Sequence, residues 1–339
     1  MAAMRLSVAP SLGERVYSVT TAAGLALHVV PKPGFRNAHA LLTVGYGSID
    51  RCFAPAGGPP VAVPDGIAHF LEHRLFASSL GDVADRFAAL GAELNAHTTF
   101  TSTAFFFSGT ERVEECLEML LDIALNPELA AEGVDRERGI IARELQLDGD
   151  YLEWVNFVDV LGALYGTHPL GVDIAGTPAS IAAIDHELLC SCYRTFYRPD
   201  NMALIVGGDL DPEAVVHTVS RCLEGKERGQ APQLFRQPDG PGPAPRKVTT
   251  LPVAQPRLCL GFADFGPRPT GEALLREDLC AELLLDLLFG SSSDVYARHY
   301  ESGLIDGESF GCDVYLEPEF SFCLVGGDTP DPGRLAAEI

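Results

Sequence analysis

The sequence has little positive charge and no long apolar run. Its 24 Lys and Arg stand against 47 Asp and Glu in 339 residues, so the formal net charge is −23. Such an excess repels nucleic acid and anionic lipid. No segment approaches the roughly 20 apolar residues that a membrane helix needs. We therefore expect neither nucleic acid nor a membrane among the partners of this protein.

Signals for export, disulfides and phosphate binding are also missing. The N-terminus has no apolar segment of signal-peptide length. The nine cysteines are odd in number and form no CxxC pair, which favours reduced thiols in a cytoplasmic protein over disulfides or cysteine-bound zinc. The stretch FGSSSD, residues 289–294, lacks the lysine of a phosphate-binding loop. The composition is otherwise that of a globular protein, with 47% hydrophobic residues.

Two histidines four residues apart are the clearest chemical signal. They lie in GIAHFLEHRLF, residues 66–76, whose apolar residues recur at helical spacing. On a helix, His69 and His73 share one face and can reach a single ion, while Glu72 borders that face. This HxxEH order is the inverse of HExxH, and its glutamate is suited to take a proton from water. An ordinary helix that carries two imidazoles by coincidence is the competing interpretation, and a third ligand would decide between them.

Candidates for the third ligand lie in VDRERGIIARELQLDGD, residues 134–150. Glu137 and Glu144 are seven residues apart, almost two helical turns, so both point the same way, and Asp148 follows one turn later. Zinc accepts carboxylate oxygen as well as imidazole nitrogen. The alternative is a solvated acidic face paired with neighbouring arginines, and spacing alone leaves both interpretations open.

Two distant segments repeat a pattern, which indicates an internal duplication. DVADRFAALGAEL begins at Asp82 and DVYARHYESGLID begins at Asp294, and each has Arg at its fifth place and Gly at its tenth. The offset is 212 residues, and it places apolar residues where the first copy has its metal motif, namely Ala281, Leu284 and Leu285. The second copy is therefore predicted to hold no metal.

Proline density predicts the boundary between the copies. Five prolines lie between positions 232 and 245, so residues 226–247 are predicted to be an extended linker. It would separate a metal-binding domain, 1–225, from a partial second domain without metal ligands, 248–339. We predict an α+β fold made of a duplicated unit, an antiparallel sheet packed by helices. The second copy is expected to be incomplete, because the sequence stops at Ile339 in the first turns of a helix.

Five segments, taken in order, resemble the pitrilysin/insulinase zinc metallopeptidases, and especially their short bacterial and processing-peptidase branch. They are GIAHFLEHRLF, AELNAHTTFTSTAFFF, RERGIIARELQ, HPLGVDIAGT and FYRPDNMALIVGGDLD, within residues 15–215. The resemblance implies one Zn²⁺ held by His69, His73 and Glu144. It implies that Glu137 supports this site from behind the ligands.

The resemblance also implies an activity. Glu72 would be the general base of a zinc endopeptidase acting on peptides or unfolded proteins, and Asn95 and Ala96 would lie on an edge strand that aligns the substrate backbone. The family's second domain offers an Arg and a Tyr to the substrate, whereas this sequence has Asp294 and Asp306 there.

That departure leads to two expectations about partners. A homo- or heterodimer with a related subunit would supply the missing groups. The alternative is a non-catalytic subunit that binds peptides or scaffolds a peptidase-like complex, although the intact HxxEH sequence argues against it.

Overall fold

The computed structural model describes residues 4–76, 83–237 and 246–339. These residues fall into two compact units. The first unit comprises Met1–Leu145 and Asp173–Arg236, and the second comprises Gln146–Val172 and Gln237–Ile339. Asp82, where the repeated pattern begins, lies outside the described residues.

The first unit is built on a seven-stranded sheet. Its strands alternate buried and more exposed residues, as period-two side chains do when one face of a sheet is covered. They are β1 Arg5–Ala9, β2 Glu14–Thr20, β3 Ala26–Pro31, β4 Ala38–Val44, β7 Ala92–Thr98, β8 Thr103–Gly109 and β9 Met202–Gly208. The order is β1-β2-β3-β9-β4-β8-β7, with every pair antiparallel except β3 with β9. Strand β7 therefore lies at an edge.

A smaller sheet pairs β5 Cys52–Ala54 with β6 Val61–Ala62 and with β10 Gln233–Leu234. Strand β10 falls inside the range that was predicted to be a linker without regular structure. Pro232 directly precedes it, and its two residues pair with Ala54 and Phe53. Backbone pairing with β5 thus keeps part of this segment in a strand. The remaining prolines of the segment lie outside the described residues.

Helices cover the buried face of the large sheet. They are α1 Ile67–Phe76, α2 Val83–Ala89, α3 Val113–Leu125, α4 Val134–Asp148, α6 Pro178–Ala182, α7 His186–Phe196 and α8 Pro212–Cys222. Helix α3 buries an apolar stripe that includes Leu117, Leu120 and Leu121. These side chains share one apolar core with Leu42 and Phe105 of the sheet. Burying each such side chain stabilises the fold by about 1.5–3 kcal/mol.

The second unit is smaller. It contains the helices α5 Leu152–Tyr165, α9 Glu272–Phe289, α10 Asp294–Glu301 and α11 Pro332–Glu338, and the strands β11 Arg257–Asp264, β12 Gly311–Leu316 and β13 Ser321–Asp328. The strands form an antiparallel sheet in the order β11-β13-β12. Along the chain, β11-α9-α10-β12-β13-α11 repeats the succession β4-α1-α2-β7-β8-α3 of the first unit, apart from the short strands β5 and β6 that lie between β4 and α1. This succession agrees with the predicted α+β duplication.

Helix α5 belongs to the second unit although it lies within the predicted domain 1–225. Its Tyr165 hydroxyl donates to the carbonyl oxygen of Ser321 at 3.2 Å. The rings of Phe157 and Tyr165 lie 6.4 and 6.1 Å from that of Phe322. Residues 1–225 therefore include a helix whose packing partners come much later in the chain.

Helix α9 occupies the place of the metal-motif helix in the second copy and carries the predicted apolar positions Ala281, Leu284 and Leu285. None of its residues is fully buried. Six of its leucines are between 43% and 75% exposed, namely Leu275, Leu279, Leu283, Leu284, Leu287 and Leu288. We call these six the leucine row. Among the described residues, no helix is both long enough and apolar enough to cross a bilayer.

Candidate metal centre

Two glycines fix the start of α1. Gly66 has a φ of 86° and Gly176 a φ of 83°, values that are strained for residues with a side chain. A Cβ on Gly66 would overlap the carbonyl oxygen of Ala175, and one on Gly176 would overlap that of Asp65. This close approach of two loops sets the first turn of α1. Phe70 and Leu71, both fully buried, then hold the inner face of the helix in the core.

The opposite side of α1 presents the two histidines to α4. His73 Nε2 lies 3.3 Å from Glu144 Oε2, and His69 Nε2 lies 3.8 Å from Glu144 Oε1. One ligand atom from each of these three residues lies within 4.8 Å of the others. Zinc bonds of 2.0–2.2 Å in tetrahedral geometry place ligand atoms about 3.3 Å apart. The donor set and its spacing therefore fit a zinc ion.

Glu137 lies behind His73. Its Oε1 is 3.1 Å from His73 Nδ1, and the residue is only 5% exposed. A carboxylate that accepts the Nδ1 proton leaves the Nε2 lone pair free for a metal, which is the usual arrangement behind a ligating histidine. His69 differs, because its Nδ1 is buried with no hydrogen-bond partner in the described part of the chain.

Glu72 is a buried carboxylate beside the histidines. The residue is 8% exposed, and its Oε2 accepts a hydrogen bond of 2.6 Å from the hydroxyl of Thr98. Burial raises the pKa of Glu72 above its usual value, although the Thr98 hydrogen bond acts in the opposite direction. No sequence motif points to Thr98. Strand alternation was the available signal, since it puts Ala96 and Thr98 on the face opposite Asn95 and His97.

The two imidazoles differ in basicity. Burial alone would lower the pKa of His73, but hydrogen bonds to Glu137 and Glu144 outweigh it and raise that pKa to about 9. Burial, and next the charge of His73, lower the pKa of His69. The hydrogen bond from His73 lowers the pKa of Glu144. Without metal at neutral pH, His73 thus carries a proton that a cation must displace.

The acidic-face alternative finds no support at Arg138. Its guanidinium pairs with Asp135 and donates to the carbonyl oxygens of Ile181 and Ile184. Asp148, one turn beyond Glu144, is not among the residues whose ligand atoms converge.

Asn95 and Ala96 lie in β7, at the edge of the large sheet. The Asn95 side chain is exposed and its Oδ1 accepts from Ala96 N at 2.8 Å. In the second unit, Asp294 begins α10, and Asp306 accepts hydrogen bonds from the backbone N–H groups of Glu308 and Ser309 and from the Ser309 hydroxyl. The structure thus gives Asp306 a turn-forming role.

Comparisons with known proteins agree with this architecture. A family model described as "Insulinase (Peptidase family M16)" matches residues 63–178, and one described as "Peptidase M16 inactive domain" matches residues 183–338. The "Uncharacterized zinc protease YmfH" of Bacillus subtilis (strain 168) is 41% identical over 332 residues, which are 97% of this chain and 77% of that protein.

Two further matches extend the comparison. The "Uncharacterized zinc protease ML0855" of Mycobacterium leprae (strain TN) is 31% identical over 259 residues, so that 74% of this chain spans 53% of that protein. A crystal structure from Alicyclobacillus acidocaldarius, described as M16-like, has a TM-score of 0.91 and 36% identity. That match covers 96% of this chain and 77% of the other.

Proposed function

Because this chain belongs to the M16 insulinase family of peptidases, we propose that it is a zinc-dependent metalloendopeptidase that hydrolyses peptides or processes protein substrates. The observation that carries the proposal is the convergence of His69, His73 and Glu144, with the carboxylate of Glu72 beside them. The name "zinc protease" borne by two relatives supports the choice of metal.

In the proposed reaction, His69, His73 and Glu144 would hold one zinc ion. Zinc would supply Lewis acidity there and lower the pKa of water to about 7. Glu72 takes the proton of the attacking water and later gives it to the leaving amine. Neither histidine would serve as this base, since each would commit a ring nitrogen to the metal. The raised pKa of Glu72 suits a carboxylate that must both accept and return a proton near neutral pH.

The edge strand β7 gives the site a way to hold an extended peptide. An edge strand offers unpaired backbone N–H and C=O groups, so a peptide can add to the sheet by backbone hydrogen bonds. Asn95 and Ala96 lie in this strand, and we propose that they align the substrate backbone. Peptides and unfolded proteins are the substrates that we propose, because they offer extended backbone for such pairing.

We further propose that the protein works in the cytoplasm as a homo- or heterodimer with a related subunit. The second unit has Asp294 and Asp306 where the family resemblance leads us to expect an Arg and a Tyr, and Asp306 is already engaged in a turn. A related subunit would supply those groups.

The second candidate is a non-catalytic peptide-binding or scaffold subunit of a peptidase-like complex. The aspartates just named favour it, as does the description of the C-terminal family model as an inactive domain.

A peptide-cleavage assay on a zinc-loaded sample distinguishes the proposed peptidase from this non-catalytic alternative. Purified protein, alone and with any co-purifying partner, is assayed on a quenched peptide library with and without a chelator, and its zinc content is measured. We expect chelator-sensitive cleavage and one zinc per chain. Glu72→Gln should keep the zinc and lose at least about 10²-fold in turnover. Cleavage by the Glu72→Gln protein at the wild-type rate, or zinc binding without any cleavage, would contradict it.

A further inference from the structure

The hydroxyl of Thr98 is bonded to the carboxylate that the proposed reaction uses as its base. The 2.6 Å distance from Thr98 Oγ1 to Glu72 Oε2 is that of a hydrogen bond from a hydroxyl to an ionised acceptor, which is roughly twice as strong as a neutral one. Glu72 is buried, so water does not compete freely for this oxygen.

The groups around Thr98 show which partner donates the proton in that hydrogen bond. Thr103 Oγ1 donates to the carbonyl oxygen of Tyr46 at 2.9 Å, and a carbonyl can only accept. The proton of Thr103 is therefore committed. Thr98 Oγ1 lies 3.5 Å from Thr103 Oγ1, much farther than from Glu72. Since an ionised carboxylate is acceptor-only, the Thr98 hydroxyl must donate to Glu72.

Thr98 is held on a rigid support. It is the last residue of β7 and pairs with Thr103, the first residue of β8. The connecting turn is closed by Thr99, whose hydroxyl donates to the carbonyl oxygen of Ser102 and accepts from its N–H. The branched Cβ of threonine leaves few rotamers open. Because the sheet fixes Thr98 and the helix α1 carries Glu72, their hydrogen bond sets the carboxylate relative to the sheet.

We propose that Thr98 is a positioning residue that holds one oxygen of Glu72 so that the other can accept the proton of the attacking water. The inference rests on the proposed peptidase function. In the absence of the hydroxyl, the buried carboxylate loses a donor and gains freedom to turn about its last torsion. Polar partners behind a catalytic site typically change activity 10–100-fold when removed.

The test compares three variants of the whole chain. Thr98→Val keeps the shape of the side chain and removes the hydroxyl, whereas Thr98→Ser keeps the hydroxyl. Thr43→Val is the matched control, since Thr43 is also a strand threonine and its hydroxyl donates to the carbonyl oxygen of Ala203, in a bond that does not involve Glu72. For each protein we would measure kcat, KM, zinc affinity by chelator competition and the affinity of the zinc-loaded form for acetohydroxamate by calorimetry. Acetohydroxamate chelates zinc and passes its hydroxyl proton to a neighbouring carboxylate, so its affinity reports the placement of Glu72 without turnover.

For Thr98→Val we expect kcat to fall about 10–100-fold with KM and zinc affinity near wild type, and the acetohydroxamate affinity to weaken. Thr98→Ser should recover both losses, and Thr43→Val should show neither. A Thr98→Val protein with wild-type kcat, a Thr98→Ser protein as poor as Thr98→Val, or a parallel loss of zinc affinity would overturn the proposal. If the wild-type protein cleaves no peptide, the proposed function fails. The acetohydroxamate comparison still decides the role of Thr98, and unchanged affinity in Thr98→Val would refute it.

Discussion

At the scale of single residues, Glu137 contacts a candidate metal ligand without being one of the three residues that could hold the ion. It accepts the Nδ1 proton of His73, and so it fixes which nitrogen faces the candidate metal position. We predict that Glu137→Gln weakens zinc binding about 10–100-fold, since an amide is a poorer acceptor for that proton. Chelator competition measures the change. Glu93→Gln, which alters an exposed residue of β7, should leave the affinity unchanged, and equal effects of the two substitutions would contradict this role.

The basicity of His73 predicts how zinc binding depends on pH. With a pKa raised to about 9, His73 is protonated at pH 7 in the metal-free protein, and zinc must displace that proton. The apparent zinc affinity should therefore rise about tenfold per pH unit as pH increases towards 9, and level off above it. Calorimetry at pH 7 in buffers of different ionisation enthalpy should count about one proton released. Release of no proton would show that His73 is neutral before zinc binds.

Much of the candidate site was accessible from residue types and spacing. The helical period put His69, His73 and Glu72 on adjoining positions. The seven-residue interval made Glu137 and Glu144 candidates, together with Asp148, and the family resemblance assigned their roles. Thr98 was not accessible in this way, because its contact with Glu72 depends on how β7 packs against α1. Strand alternation gives the face of β7 on which Thr98 lies, but it does not show that this face packs against α1.

At the scale of elements, α1 depends on the glycine at its start. Gly66→Ala would impose a side chain on a left-handed backbone, which costs about 1–3 kcal/mol, and would also push against the carbonyl oxygen of Ala175. We predict a loss of stability and of zinc affinity together, because the first turn of α1 must move. Gly57→Ala is the matched control, since its φ is 73° and nothing lies within 4 Å of the added Cβ.

Urea unfolding of both variants, followed by zinc titration, checks this prediction. Gly57→Ala should show the backbone strain alone and keep its zinc affinity. If the two variants lose the same stability, the contact with Ala175 contributes nothing.

The elements themselves followed their sequence signals more closely than the boundaries between units did. The helical spacing of residues 66–76 is a local signal, and this segment forms α1 as expected. The assignment of α5 to the second unit depends on contacts between distant residues instead. Its contacts with Ser321 and Phe322 join residues more than 150 positions apart, so a boundary argued from proline density could not anticipate them. The two-residue strand β10 was not predicted for the same reason, since its pairing partner β5 lies far from it in the sequence.

At the scale of the whole molecule, the net charge and the leucine row have opposite effects on the association of copies of the chain. A charge of −23 keeps copies of the chain apart, whereas exposed apolar patches favour association. The repulsion reaches about 30 Å at 0.01 M ionic strength but only about 8 Å at 0.15 M. We predict that this chain by itself is monodisperse in dilute buffer and associates as salt is added, with sulfate more effective than chloride.

Light scattering across a salt series measures this behaviour. Leu283→Gln with Leu287→Gln should shift the onset of association to higher salt, because both residues belong to the leucine row. Glutamine at Leu6 and Val8, also exposed but on β1, should shift it less. Identical curves for the two pairs would remove α9 from the explanation.

The leucine row also has a practical consequence at the bench. Such a surface binds to phenyl-type resin and to detergent monomers. A wash step during purification can therefore change the yield of recovered protein. Preparations of this chain made at different ionic strengths would differ in their degree of association. Their specific activities would therefore be comparable only at the same ionic strength.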